Sequence, residues 1–164
     1  METFDAINKR ASVREYLNKP VPKDMLEKLV DAGRRAPTAR AVEPWEFIVV
    51  TERRTLDELG GMISTGLFLK QATACVVVFC NDTKYYLEDG SAATENILLA
   101  ATDLGLGTCW IAGDKKEYCE AVARFLGVPP HMKLISLISV GWASKDVKQR
   151  KHRQVKDVLH WEKF

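Results

Sequence analysis

The chain sets 24 Lys and Arg against 22 Asp and Glu over 164 residues, a formal charge of +2, with 46% hydrophobic and 28% charged residues. A balance this close to neutral excludes, for the chain as a whole, the strong basic field that holds nucleic acid or an anionic membrane, and no apolar run approaches the length of a membrane span. The start, Met1-Glu-Thr-Phe-Asp, has neither the basic opening nor the apolar centre of a secretory signal, so the expectation is a cytoplasmic protein with one domain over residues 1–164 and a substantial core.

Phe4, Ala6 and Ile7 stand at helical spacing and predict a short helix ending near Asn8. The next stretch, Lys9 to Tyr16, reads as extended. Alternation sends Arg10, Ser12 and Arg14 to one side and Ala11, Val13 and Glu15 to the other. Two guanidinium forks beside a hydroxyl suit a phosphate or a polarised carbonyl, and a solvated basic edge strand accounts for the same pattern. Pro20 and Pro22 mark a turn before an amphipathic helix built on Met25, Leu26, Leu29, Val30 and Ala32 and ended by Gly33. The segment RRAPTARAVEPW, residues 34–45, carries two prolines and little periodicity, which predicts a loop with one helical turn at most, anchored by Trp45.

Glu46 to Thr51 predicts a strand, Arg53 to Leu59 a helix stopped by Gly60-Gly61, and Ile63 to Lys70 a further helical or loop segment. Ala74 to Cys80 is almost continuously apolar, the pattern of a central strand covered on both faces. Cys75 and Cys80 are five apart, so an extended strand turns them to opposite faces, and with no CxxC pair among Cys75, Cys80, Cys109 and Cys119 the expectation is reduced thiols and no metal. From Ser91 to Leu104 the apolar residues spread around most of a helical wheel and predict a core helix, with Asp89 where a carboxylate favours a helix start. Gly105 and Gly107 are read as its stop and Cys109 to Ile111 as a short buried strand. Ala112-Gly113 then ends that strand either with backbone N–H groups free for a ligand edge or as a plain turn.

Tyr118, Ala121, Val122, Phe125 and Leu126 predict a helix stopped by Gly127-Val128-Pro129-Pro130, and Lys133 to Val140 predicts a strand closed by Gly141-Trp142. Residues 143–153 carry Lys145, Lys148, Arg150, Lys151, His152 and Arg153 before Val155, Val158, Leu159 and Trp161 restore apolar character, a basic loop followed by a docking segment. An RNA- or DNA-binding tail would interleave such charges with stacking rings, and only His152 lies among them, so no nucleic-acid partner is expected and an RNA-binding domain with a basic tail is the remote alternative. About four strands interleaved with about five helices make an α+β fold, an α/β sandwich.

Four segments carry a family resemblance. RASVREY resembles the R-x-S-x-R-x-(F/Y) element of the FMN-dependent nitroreductase family, PTARAVEPWEFIVV its P-(S/T)-x-x-N-x-Q-P-W segment, DGSAATENILLAATDLGLGTCWIAG its central helix and glycine turn, and GWASKDVKQR its last element, a Gly-(Tyr/Trp) strand end followed by a basic K-x-R. The resemblance implies a mixed, mostly antiparallel central sheet flanked by helices, in a homodimer with C-terminal arm exchange that binds FMN at the subunit interface. It also implies roles. Arg10 and Ser12, with Ala11 between them, and Lys148 and Arg150 would hold the ribityl phosphate. Arg14 would lie near the pyrimidine edge of the flavin, and Ile111, Ala112 and Gly113 would supply the strand-end backbone that donates to flavin N5. Pro37, Thr38, Ala39, Ala41 and Glu43 would reach the partner's cofactor.

Here the chain departs from the pattern, because Ala41 and Glu43 stand where the family has Asn and Gln. An alanine neither donates nor accepts, and a glutamate brings a charge that opposes flavin reduction unless it turns away or is paired. Little sequence lies between Gly113 and Pro129 for the helices that longer members lay over the cofactor, which implies an open substrate face. The implied activity passes hydride from NAD(P)H through the flavin to a quinone, a nitroaromatic or another conjugated acceptor, with no catalytic side chain. Dehalogenation, flavin fragmentation and flavin sensing without turnover are alternatives on related sites.

Overall fold

The apolar run at the centre of the chain forms β2, Ala74–Asn81, in a computed structural model that describes residues 1–150 and 153–164. β2 pairs on one side with β1, Trp45–Val50, and on the other with β4, Met132–Gly141. β3, Gly107–Ala112, adds to the far side of β4, giving the order β1-β2-β4-β3. All three pairings are antiparallel, in keeping with the mostly antiparallel sheet expected, and among the described residues the parallel component is one isolated bridge, Ser12 to Thr108.

Alternation along β2 divides the core in two. Ala74, Val76, Val78 and Cys80 pack toward α2, Lys23–Arg34, and α4, Tyr86–Asp103, while Cys75, Val77 and Phe79 pack toward α3, Arg53–Met62, the 3-10 segment Ser64–Gln71 and α5, Cys119–Phe125. Cys75 and Cys80 therefore lie on opposite faces, and burial pushes each thiol up to about 12. Full burial of each apolar side chain here contributes about 1.5–3 kcal/mol, which is why this strand needs no polar face. The result is an α+β sandwich with helices on both sides of one sheet.

Three glycine stops are corrected. α2 runs on to Arg34 and α3 to Met62 because Gly33 and Gly60 are packing positions: an added Cβ would stand 2.9 Å from Ile97 Cδ1 at Gly33 and 2.7 Å from Lys70 Cγ at Gly60. Gly105, at φ +75°, does end α4, whereas Gly107 opens β3. The strand expected to be buried is instead an edge strand, with Thr108, Cys109 and Ile111 inside and Trp110 37% exposed.

Beyond α1, Thr3–Lys9, the N-terminal chain runs extended along that edge. The Val13 N–H donates to the Thr108 C=O at 2.8 Å and the Leu17 N–H to the Trp142 C=O at 2.8 Å, and the buried Tyr16 hydroxyl donates to the Val13 C=O and meets Ser139 Oγ, both at 2.6 Å. Close approach requires small residues beneath, and a Cβ on Gly107 or Gly141 would stand 2.8 Å from Val13 or Tyr16. Ala11 and Val13 point inward as alternation requires. Glu15 does not: it is exposed and pairs with Lys145, because Tyr16 takes the inward position. The last residues, 153–164, form one 3-10 turn, Val155–Asp157, and Val155, Val158, Leu159, Trp161 and Phe164 all lie exposed on their own chain.

Candidate functional site

The extended segment after α1 and the chain after β4 meet around a cavity of about 690 Å³ lined by Arg10, Ala11, Ser12, Arg14, Lys148 and Arg150, together with Lys145–Gln149. Contacts between the two chain ends hold it open: the Gln149 side-chain amide donates to the Ile7 C=O, and Lys145 pairs with Glu15. With Lys145 so engaged, Arg10, Arg14, Lys148 and Arg150 face a single lining carboxylate, Asp146. Such a wall of forks and ammonium groups beside the Ser12 hydroxyl is chemistry for an anion with several acceptor oxygens. Lys151 and His152 of the basic loop lie outside the described residues.

Arg14 also lines a second cavity of about 550 Å³ along the outer edge of β3, with Trp110, Ile111, Ala112, Phe68 and Tyr118. Its guanidinium stands 5.7 Å over the Phe68 ring. Cys109 borders the same space, its thiol pushed up by burial and drawn back in part by Arg14 and a hydrogen bond with Ser12. Of the two backbone N–H groups expected to be free at the strand end, one is not: the Gly113 N–H donates to the Ile135 C=O at 2.9 Å. Antiparallel alternation then turns the Ala112 N–H and C=O outward, toward the edge, where the Tyr118 hydroxyl donates to that C=O. Glycine at 113 is required by the sheet itself, since a Cβ there would stand 2.8 Å from the Ile135 backbone.

Pro37, Thr38, Ala39, Ala41 and Glu43 line neither cavity. They form a bend around the 3-10 turn Ala39–Ala41 in which Arg40, Ala41 and Glu43 hold left-handed φ angles of 58°, 53° and 50°. Non-glycine residues occupy that region only when their surroundings hold them there. The holder is Asp89. Expected at a helix start, it lies within the first turn of α4, 5% exposed, and its carboxylate accepts from Thr38 Oγ1 at 2.9 Å and the Ala39 N–H at 3.0 Å, while Thr38 Oγ1 accepts from the Glu43 N–H at 3.1 Å. Glu43 is exposed and makes no ion pair among the described residues.

Sequence reasoning overlooked the second cavity's aromatic wall. Trp110 sat in the apolar run, but Phe68 and Tyr118 come from segments read as scaffold, and no local pattern links them. The charged run Asp114 to Glu117 directly after a strand end was a usable signal. A third cavity, of about 440 Å³ beside α5, contains none of the residues expected from the sequence to hold the cofactor.

The comparisons decide the family. The model of the nitroreductase family matches residues 7–89 and 68–142, which together span most of the chain. The chain belongs to the nitroreductase family. A protein of Archaeoglobus fulgidus provisionally named NADH dehydrogenase/NAD(P)H nitroreductase is 35% identical over 99% of both chains. Among solved nitroreductase structures, one from Bacteroides thetaiotaomicron with the same provisional name superposes with a TM-score of 0.94 at 33% identity, covering 99% of this chain and 98% of that one. An FMN-dependent nitroreductase from Clostridium difficile superposes at 0.91 with 29% identity, covering 98% and 99%. This nitroreductase chain contains no helix, among the described residues, long and apolar enough to cross a membrane.

Proposed function

We propose that the chain is an FMN-dependent oxidoreductase that takes hydride from NAD(P)H and delivers reducing equivalents to a quinone, a nitroaromatic or another conjugated acceptor. The observation that carries this reading is the pair of cavities joined at Arg14, one end suited to a phosphate and the other walled by flat side chains and an outward strand edge. The donor set fits FMN. A phosphate monoester carries nearly two negative charges, which Arg10, Lys148 and Arg150 balance beside the Ser12 hydroxyl, and a planar ring system fits along Trp110 and Ala112. The FMN-dependent relative from Clostridium difficile supports the same cofactor.

In this reading FMN supplies two-electron chemistry when bound, and the chain supplies position and charge. Arg10, Ser12, Lys148 and Arg150 would hold the phosphate, and the outward Ala112 N–H would be free to donate to the flavin ring. Arg14, at the junction of the two cavities, would stabilise the negative charge that reduction creates. Electrons balance without a catalytic side chain: the nicotinamide gives up a hydride, two electrons and one proton, and the acceptor takes both electrons, that proton's equivalent and a second proton from solvent, so a quinone leaves as hydroquinone. The exposed apolar arm supports a homodimer in which residues 37–43 of one subunit reach the other's cofactor. The test is the visible spectrum of the freshly purified protein followed by anaerobic addition of NADH or NADPH. A yellow protein that either nucleotide bleaches, and that a quinone then recolours, is expected; a colourless protein that takes up no FMN overturns the reading.

A further inference from the structure

The second cavity carries more positive charge than a flavin ring can use. Isoalloxazine is neutral when oxidised and gains one charge on reduction, which Arg14 already meets, yet Lys115 and Lys116 also line this space against one carboxylate, Glu117. The two lysines belong to a turn that is clamped from three sides. Tyr86 donates to Asp114 Oδ1 at 2.8 Å, a bond to a carboxylate that pushes the phenol up to about 12; Tyr118 donates to the Ala112 C=O; and the Cys119 thiol donates to the Gly113 C=O. Within the clamp the Lys116 N–H donates to the Gly113 C=O at 3.1 Å, and Lys115 takes a left-handed φ of 58°. Lys115 approaches Asp114 at 3.8 Å, and among the described residues no carboxylate pairs with Lys116.

Resting on the flavin reading above, we propose that this turn is an anion-recognition element and that the electron acceptor is a planar conjugated molecule bearing a carboxylate, sulfonate or phosphate. Its ring would take the part of the cavity the flavin leaves open and its anionic group would meet Lys115 and Lys116, whose backbone positions near the cavity mouth are set by the clamp instead of roaming with a free loop. Both lysines remain solvated, so the contribution is modest per charge and sensitive to salt.

The probes are 1,2-naphthoquinone-4-sulfonate and unsubstituted 1,2-naphthoquinone, compared on the holoenzyme and on Lys116→Gln and the Lys115→Gln/Lys116→Gln double variant. Comparing variants cancels the intrinsic reactivity of the two quinones. The expected result is that the sulfonated-to-neutral ratio of kcat/KM falls about fivefold in the double variant, through KM, and that only the sulfonated rate of the wild type declines with ionic strength. A ratio unchanged in both variants overturns the proposal while leaving the flavin reading intact. So does a loss confined to bleaching by NADH or NADPH, which would assign the lysines to the nucleotide. Failure of the protein to bind FMN removes the reading and the proposal together.

Discussion

Arg10 leaves α1 half-buried beside Ser12, its guanidinium committed to no carboxylate among the described residues, so its charge is available to a ligand. Each charge-assisted contact it makes to phosphate contributes about 1.5–3 kcal/mol, and Arg10→Ala is expected to weaken FMN binding correspondingly in a titration of the folded variant. Unchanged affinity would remove Arg10 from the site. Glu43 poses the opposite question. If the 37–43 bend lies over the partner's flavin, its carboxylate stands near a ring that becomes anionic on reduction, and like charges in a water-poor site repel. Glu43→Gln keeps size and removes charge, so the midpoint potential of the FMN-saturated variant should rise. A shift of roughly 30 mV in this two-electron couple corresponds to about 1.4 kcal/mol. Equal potentials in a redox titration would place Glu43 away from the ring.

At the scale of elements, the bend and α4 act as one unit through Asp89. Asp89→Asn retains one acceptor and loses the charge, so one of the two bonds from Thr38 and Ala39 weakens and the left-handed residues Arg40, Ala41 and Glu43 lose their hold. Trypsin is then expected to cut after Arg40 several-fold faster in the variant without FMN, read by mass spectrometry of the first fragments, whereas an unchanged rate would show that the bend holds itself. This coupling also marks where the sequence stopped being informative. β2 was legible because burial on both faces leaves a nearly continuous apolar run, α4 because its apolar residues spread around most of the helical wheel, and the N-terminal residues because alternation needs only local spacing. The partner of Asp89 lies about fifty positions away, and Gly33 and Gly60 look like stops until Ile97 and Lys70 are brought against them. Of the candidate site, the basic residues from both chain ends were legible by chemistry. The Phe68 and Tyr118 wall was not, since only the fold brings a 3-10 segment and a post-strand turn to one edge.

For the molecule as a whole, the exposed apolar residues concentrate at the end. Trp161 is 78% exposed and Phe164 fully so, with Val155, Val158 and Leu159 open between the basic loop and the terminus. A contiguous apolar arm of this kind is stable when a partner surface covers it. The chain is therefore expected to sediment as a dimer at micromolar concentration, and truncation after Gln154 to shift it toward monomer with loss of FMN; a stable FMN-loaded monomer of the full chain would count against this.

The cavity framed by Arg10 and Ser12 on one side and Lys148 and Arg150 on the other joins segments that are nearly the whole chain apart. During synthesis the first pair emerges early and waits, while the second follows only after β4 has been made. A nascent or prematurely ended chain can lay down β1, β2 and α4 yet has only half an anion site. If this cavity holds the FMN phosphate as proposed, cofactor capture waits until both segments are in place, and the phosphate, by bridging them, becomes a late tie that draws the fold shut.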